Sequence, residues 1–120
     1  MIDRYSLPKM KAIFEPQNKF QAWLDIELAA CEANAKLGKI PRADLKTIKR
    51  KAKFNIKRID EIEQITNHDV IAFLTSVAEN VGPSSRFIHL GLTSSDVGDT
   101  ALSLIMKEAI EVLEDDVRDF

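Results

Sequence analysis

Two stretches of this chain gather side chains able to do chemistry on an anion. In Thr93-Ser94-Ser95-Asp96, three hydroxyls and a carboxylate follow the turn residue Gly91. Thr93 and Asp96 stand three apart, the spacing of a capping box, in which hydroxyl and carboxylate each take one of the N–H groups left free at a helix start. Ser94 and Ser95 would then bring spare hydroxyls beside unpartnered N–H donors, a setting that suits a carboxylate or a phosphate. On local chemistry alone, a well-capped helix with no ligand is the commoner meaning. The second stretch, Thr66-Asn67-His68-Asp69, sets an imidazole between an amide and a carboxylate. Imidazole changes charge near neutral pH and serves as acid, base or donor, although a lone loop histidine is more often a surface residue. Arg4-Tyr5 pairs a cation with a phenol near the N-terminus, where packing of a tail on the domain is the simpler reading.

The bulk properties leave few other chemistries open. The chain has 120 residues, enough for one modest core, with 45% hydrophobic and 30% charged residues. A formal net charge of −2 gives no general reason to expect nucleic acid or an anionic membrane as partner. No apolar run approaches the roughly 20 residues of a membrane span, and Met1-Ile2-Asp3-Arg4-Tyr5 lacks the layout of a signal peptide. The single cysteine, Cys31, excludes an internal disulfide framework and fits a reducing cytoplasm; its place in an apolar helical pattern predicts a packed core thiol. Two histidines and one cysteine, widely spaced, give no metal-ligand pattern.

The elements that must position these groups read as helices. Residues 1 to 15, punctuated by Pro8 and Pro16, develop no period and are expected to be irregular. Pro16 suits a first helical turn; Phe20, Leu24, Leu28, Cys31 and Ala35 then form one face, widened by Trp23 and Leu37, and Gly38 ends it. Residues 41 to 53 form a short basic helix with Lys46, Lys49, Arg50, Lys51 and Lys53 on a solvated face. Asn55 caps a helix with Ile56, Ile59, Ile62 and Ile65 inward. Asp69 or Asn67 caps the next, with Val70, Phe73, Leu74, Val77 and Val81 inward. Gly82-Pro83-Ser84-Ser85 is a turn, and Phe87 to Leu90 reads equally as a short extended piece or one helical turn.

The last helix starts near Ser94 and runs to the end. Leu102, Ile105, Met106, Ala109, Leu113 and Phe120 line one side, with Val97, Ala101, Leu104 and Val112 on another, a stripe wider than one neighbour requires. It has no stop signal, and Asp115, Asp116 and Asp119 sit where the helix dipole disfavours them. The pattern is expected of a chain cut inside a longer helix whose apolar side another part of the protein, or another chain, covers. No period-two apolar run is present, so the fold class is all-α.

Arg4-Tyr5-Ser6, Thr66-Asn67-His68-Asp69-Val70-Ile71-Ala72-Phe73 and His89-Leu90-Gly91-Leu92-Thr93-Ser94-Ser95-Asp96-Val97 with Asp99-Thr100-Ala101, in this order, resemble the N-terminal region of the bacterial adenylosuccinate lyases, within the fumarase/aspartase superfamily. Phe20-Gln21-Ala22-Trp23-Leu24 and Ala30-Cys31-Glu32-Ala33 fit too, so the resemblance covers essentially the whole chain. It implies residues 1–92 as the N-terminal helical domain and 93–120 as the beginning of the central helical bundle. It implies β-elimination of fumarate from adenylosuccinate, giving AMP, and from the succinyl-carboxamide ribotide of purine synthesis. It implies no metal or organic cofactor and a cytoplasmic homotetramer whose sites draw on three subunits. By matched position, Arg4 and Tyr5 would contact the nucleotide, most naturally its phosphate. Asn67, His68 and Asp69 would line the nucleotide and succinyl part, with His68 in substrate binding first and acid/base work second. Thr93 and Ser94 would hold a substrate carboxylate, and His89 would support the phosphate region. The general-acid histidine and the flexible serine loop of that family are absent, so this polypeptide alone is expected to be inactive. Two other readings compete: a relative such as a carboxymuconate cycloisomerase, against which Arg4 and His68 argue, and a helical interaction module with no catalytic role.

Overall fold

Proline at the first helical position, where its missing N–H is no loss, begins the helix on which most of the fold is laid. In a computed structural model that describes residues 2–120, this helix is α2, Pro16–Lys36. Around it stand α1 (Pro8–Ile13), α3 (Arg42–Lys51), α4 (Ile56–Thr66), α5 (Asp69–Val81) and α6 (Ser94–Asp119), with 3-10 turns at Asp3–Tyr5 and Pro83–Phe87. No strand occurs among the described residues, and no helix is long and apolar enough to cross a membrane.

Helix α2 buries Phe20, Trp23, Leu24, Glu27 and Cys31. The expected row through Leu28 and Ala35 is only half-buried; the core side of the helix runs through a glutamate instead. Gly38, at φ +74°, takes the left-handed backbone that ends the helix. Leu37 is 72% exposed rather than part of the stripe, because it is the cap residue and the chain turns there. In α3 only Ile48 is buried; its cations face solvent, as expected, and Lys49 pairs with Glu32.

Helices α4 and α5 form an antiparallel hairpin. The Asn55 side chain accepts the Arg58 N–H at 2.9 Å, capping α4, and Ile59 and Ile62 point inward. Ile65, expected with them, is 82% exposed, since it lies in the last turn as the chain leaves the core. The Arg58 guanidinium clasps the Glu79 carboxylate through both ends of its fork, at 2.8 to 3.2 Å, which holds the Glu79 carboxyl below the ordinary range. The pair is exposed, so it fixes the register of the hairpin more than its stability. At the centre of the core Phe73 stacks on Phe20 and meets Trp23 edge-on, with Phe54 tilted against both phenylalanines.

The N-terminal residues depart from the irregular reading. Pro8 opens the six-residue α1, and its Ile13 joins Ile105 and Val112 in a second small apolar cluster. Six residues are too few for a hydrophobic period to register; packing on α6 stabilises them. The expected two sides of α6 also resolve differently. Its buried row, Val97, Ala101, Ile105 and Val112, draws on both. Leu102, Leu104, Met106, Ile110, Leu113 and Val117 are exposed. Val97 and Ala101 belong to the main core, while Ile105 and Val112 meet α1.

Cys31 is 1% exposed, and burial, helped by the nearby Glu27 carboxylate, pushes its thiol up to about 11. The thiolate is the reactive form, so at pH 8 the native chain should react with a disulfide reagent at least ~100-fold more slowly than the urea-unfolded chain. Since the folded value lies above the unfolded one, this group's contribution to stability is intact below pH ~8.5 and is lost as pH rises toward 11. Equal thiol rates in the two states would show that the α2 core side is open.

Candidate functional site

The start of α6 forms as the sequence predicts. Thr93 is the N-cap, the Asp96 carboxylate accepts the Thr93 N–H at 2.8 Å, and the Asp96 N–H turns back onto Thr93. With that exchange made, the N–H groups of Ser94 and Ser95 remain as outward donors, flanked by the Ser94 hydroxyl. Ser94 is half-buried and Thr93 exposed. This end can hold an anion, although Asp96 already offsets part of its positive potential.

At α5 the structure corrects the cap. His68, not Asn67 or Asp69, is the N-cap: its Nδ1 accepts the Ile71 N–H at 3.2 Å. Asn67 instead closes α4 in the left-handed conformation, at φ 49°, and frees His68 to take extended backbone. Asp69 opens α5, its carboxylate accepting the Val70 N–H at 2.7 Å. Because Nδ1 accepts, a neutral His68 carries its proton on Nε2 and offers a donor outward.

His89 is set the opposite way. Its Nδ1 lies 2.5 Å from Oε1 of Glu27, a carboxylate 1% exposed. Its backbone is left-handed, at φ 67°. The segment that carries it is fastened to α2 at three points on one helix face: Glu27 to the His89 ring, Cys31 Sγ to the Phe87 carbonyl, and Asn34 Nδ2 to the Leu90 carbonyl. The undecided piece Phe87 to Leu90 is thus the end of a 3-10 turn followed by a second turn closed by Leu92 N–H on the His89 carbonyl. Glu27 and Asn34 are the polar residues that the sequence reading missed. The signal was present, since positions 20, 24, 27 and 31 carry a helical period that a glutamate interrupts.

Arg4 and Tyr5 lie in the first 3-10 turn, both exposed, with the guanidinium 4.8 Å from the ring centre. Asp3 binds Lys11 of α1, and Lys9 of α1 meets Asp115, some 22 residues and therefore roughly 33 Å along α6 from Thr93. His68 and the 89–94 segment are also apart: α5, which separates His68 from Gly82, rises roughly 18 Å. Its Phe73 end meets α2 at Phe20, whereas His89 and Leu90 meet α2 at Glu27 and Asn34. The eight residues form three groups along the chain: Arg4 with Tyr5, far from Thr93; Asn67, His68 and Asp69; and His89, Thr93 and Ser94, which lie apart from the second group. One chain does not bring the groups into one opening. A cleft of about 760 Å³ between α2 and α3 is lined by none of them. No cluster of three metal-ligating side chains occurs among the described residues.

Residues 4–120 match the lyase family, and the chain belongs to it. The helices superpose on the crystal structure of the fumarate lyase from Mesorhizobium sp. BNC1 with a TM-score of 0.79, over 88% of this chain and 26% of that one; at 23% identity this speaks for the all-α fold alone. Among particular proteins, the chain is 51% identical over all 120 residues to the adenylosuccinate lyase of Bacillus subtilis (strain 168). It spans 28% of that protein's length.

Proposed function

We propose that residues 1–120 are the N-terminal part of an adenylosuccinate lyase, a purine-biosynthesis enzyme of the cytoplasm that eliminates fumarate from adenylosuccinate, releasing AMP, and from the succinyl-carboxamide ribotide. The observation that carries the proposal is identity at 51% of positions across the whole chain with one such enzyme. In this reading Thr93 and Ser94 hold a carboxylate of the succinyl group at the α6 N-terminus. His68 offers Nε2–H to the substrate, with Asn67 and Asp69 beside it. Arg4 and Tyr5 take the nucleotide phosphate, and His89 supports that end. β-Elimination builds negative charge on the carboxylate next to the carbon that loses its proton, and fixed donors at a helix start are suited to stabilising it. Residues 93–120 open the central bundle, and the exposed apolar face of α6 is covered by other copies in a homotetramer.

The separation of the three groups supports a site shared between subunits, and so an inactive segment. Full-length protein incubated with adenylosuccinate should release fumarate and AMP, and the 120-residue chain should release neither. If the full-length protein binds or turns over a simple dicarboxylate but neither adenylosuccinate nor AMP, the substrate assignment is wrong and a non-nucleotide relative is the better reading.

A further inference from the structure

Glu27 is the one charged side chain in the core of the described residues. Its Oε1 meets His89, and its Oε2 is buried without a hydrogen-bond partner among the described residues. A buried carboxylate with an idle oxygen is unfavourable wherever an apolar or amide side chain would serve. Holding the turn in place does not explain it, because Cys31 and Asn34, on the same face of α2, already engage the carbonyls of Phe87 and Leu90. What Glu27 alone engages is a side chain, and one whose ring retains 21% exposure. The left-handed backbone at His89 is the kind of conformation that persists only where surrounding contacts enforce it, and such positions gather at functional sites.

From this arrangement we infer that Glu27 is a positioning residue for His89: its buried carboxylate accepts the hydrogen bond of the ring's Nδ1–H, fixes the ring plane, and leaves Nε2 directed away from α2 toward substrate. The inference rests on the proposed role of His89 at the substrate site. It makes the two histidines complementary in tautomer. His68 is locked with Nδ1 accepting from a backbone N–H, and His89 with Nδ1 donating to a carboxylate.

Two measurements test it. The described chain contains only these two histidines, so nitrogen-15 shifts of its labelled imidazoles resolve both at neutral pH. A protonated Nδ1 is expected for His89 and a bare Nδ1 for His68; a bare Nδ1 at His89 overturns the inference whatever the substrate. In the full-length enzyme, Glu27→Gln keeps size and removes charge. It should lower kcat about 10- to 100-fold, the range seen when an orienting carboxylate is lost, with KM within about threefold. Combined with His89→Gln it should lower kcat by less than about twofold more, because the two act as one unit. An equal factor in both backgrounds, or a fall in melting temperature without a change in kcat, would mean that Glu27 serves the fold only. If the unaltered full-length protein releases no fumarate, the functional reading fails by itself, and the tautomer of His89 still decides whether Glu27 sets the ring.

Discussion

Two inactive full-length variants, His68→Asn and the double variant Thr93→Ala/Ser94→Ala, should regain activity when their subunits are mixed. Each alone should lose on the order of 10²- to 10³-fold in kcat, the effect of removing a donor aimed at developing negative charge. Asn is chosen at 68 because its side-chain oxygen still caps α5 in place of Nδ1, so the variant loses an imidazole without losing the helix start. Recovery is expected because the 68 group and the 93–94 group lie apart in one chain, with roughly 18 Å of α5 between His68 and Gly82. If a site takes one group from each of two neighbours, a random equal mixture finds both intact in about one site in four, so about a quarter of wild-type kcat should return. The mixture is made by unfolding and refolding the two together, and oligomer composition is verified with a mass-tagged partner. No recovery in verified mixed oligomers would mean that each site takes both groups from one subunit, and the proposed assembly would fail with it.

How much of this was legible in the sequence follows a physical line. Local signals were read correctly. Pro16, Gly38, Asn55 and the Thr93–Asp96 pair each act within four residues, and each does what its chemistry requires. Signals that depend on tertiary packing were not. The six residues of α1 carry no readable period and take their order from α6. Ile65 and Leu37 are apolar and in phase, yet sit where their helices leave the core. His68 displaced Asn67 and Asp69 as the cap because Asn67 was needed in left-handed form to end the helix before it, a competition between adjacent elements that pattern matching does not weigh. The candidate site residues came from family resemblance rather than from local pattern. The separation of the 68 group from the 93–94 group, and the pairing of Glu27 with His89, are consequences of how α2 packs; helical spacing marks Glu27 as inward-facing but not what it meets.

Phe73→Ala should be the most damaging single change to the fold of this segment. Phe73 is wholly buried, and its ring lies 5.8 Å from Phe20, 5.5 Å from Trp23 and 6.1 Å from Phe54, so α2 and the α3–α4 connection both meet α5 on it. Removing a buried phenylalanine ring loses its transfer free energy and leaves a cavity that rigid aromatic neighbours fill poorly, together about 3–5 kcal/mol. Domains of this size are stable by only about 5–15 kcal/mol, and each kcal/mol moves the melting temperature by several degrees, so a fall of roughly 10–25 °C is expected. Phe73→Leu, which keeps most of the volume, should cost less than half as much. Both are read by circular dichroism at several concentrations, because any association through the exposed apolar face of α6 would make apparent stability depend on protomer concentration. The same residue bears on function, since it anchors the first turns of α5, five residues beyond His68. In the proposed full-length lyase, Phe73→Leu should therefore weaken substrate binding by more than its loss of stability accounts for. A Phe73→Ala loss below about 1 kcal/mol would show that the aromatic cluster is not what holds the start of α5 against α2.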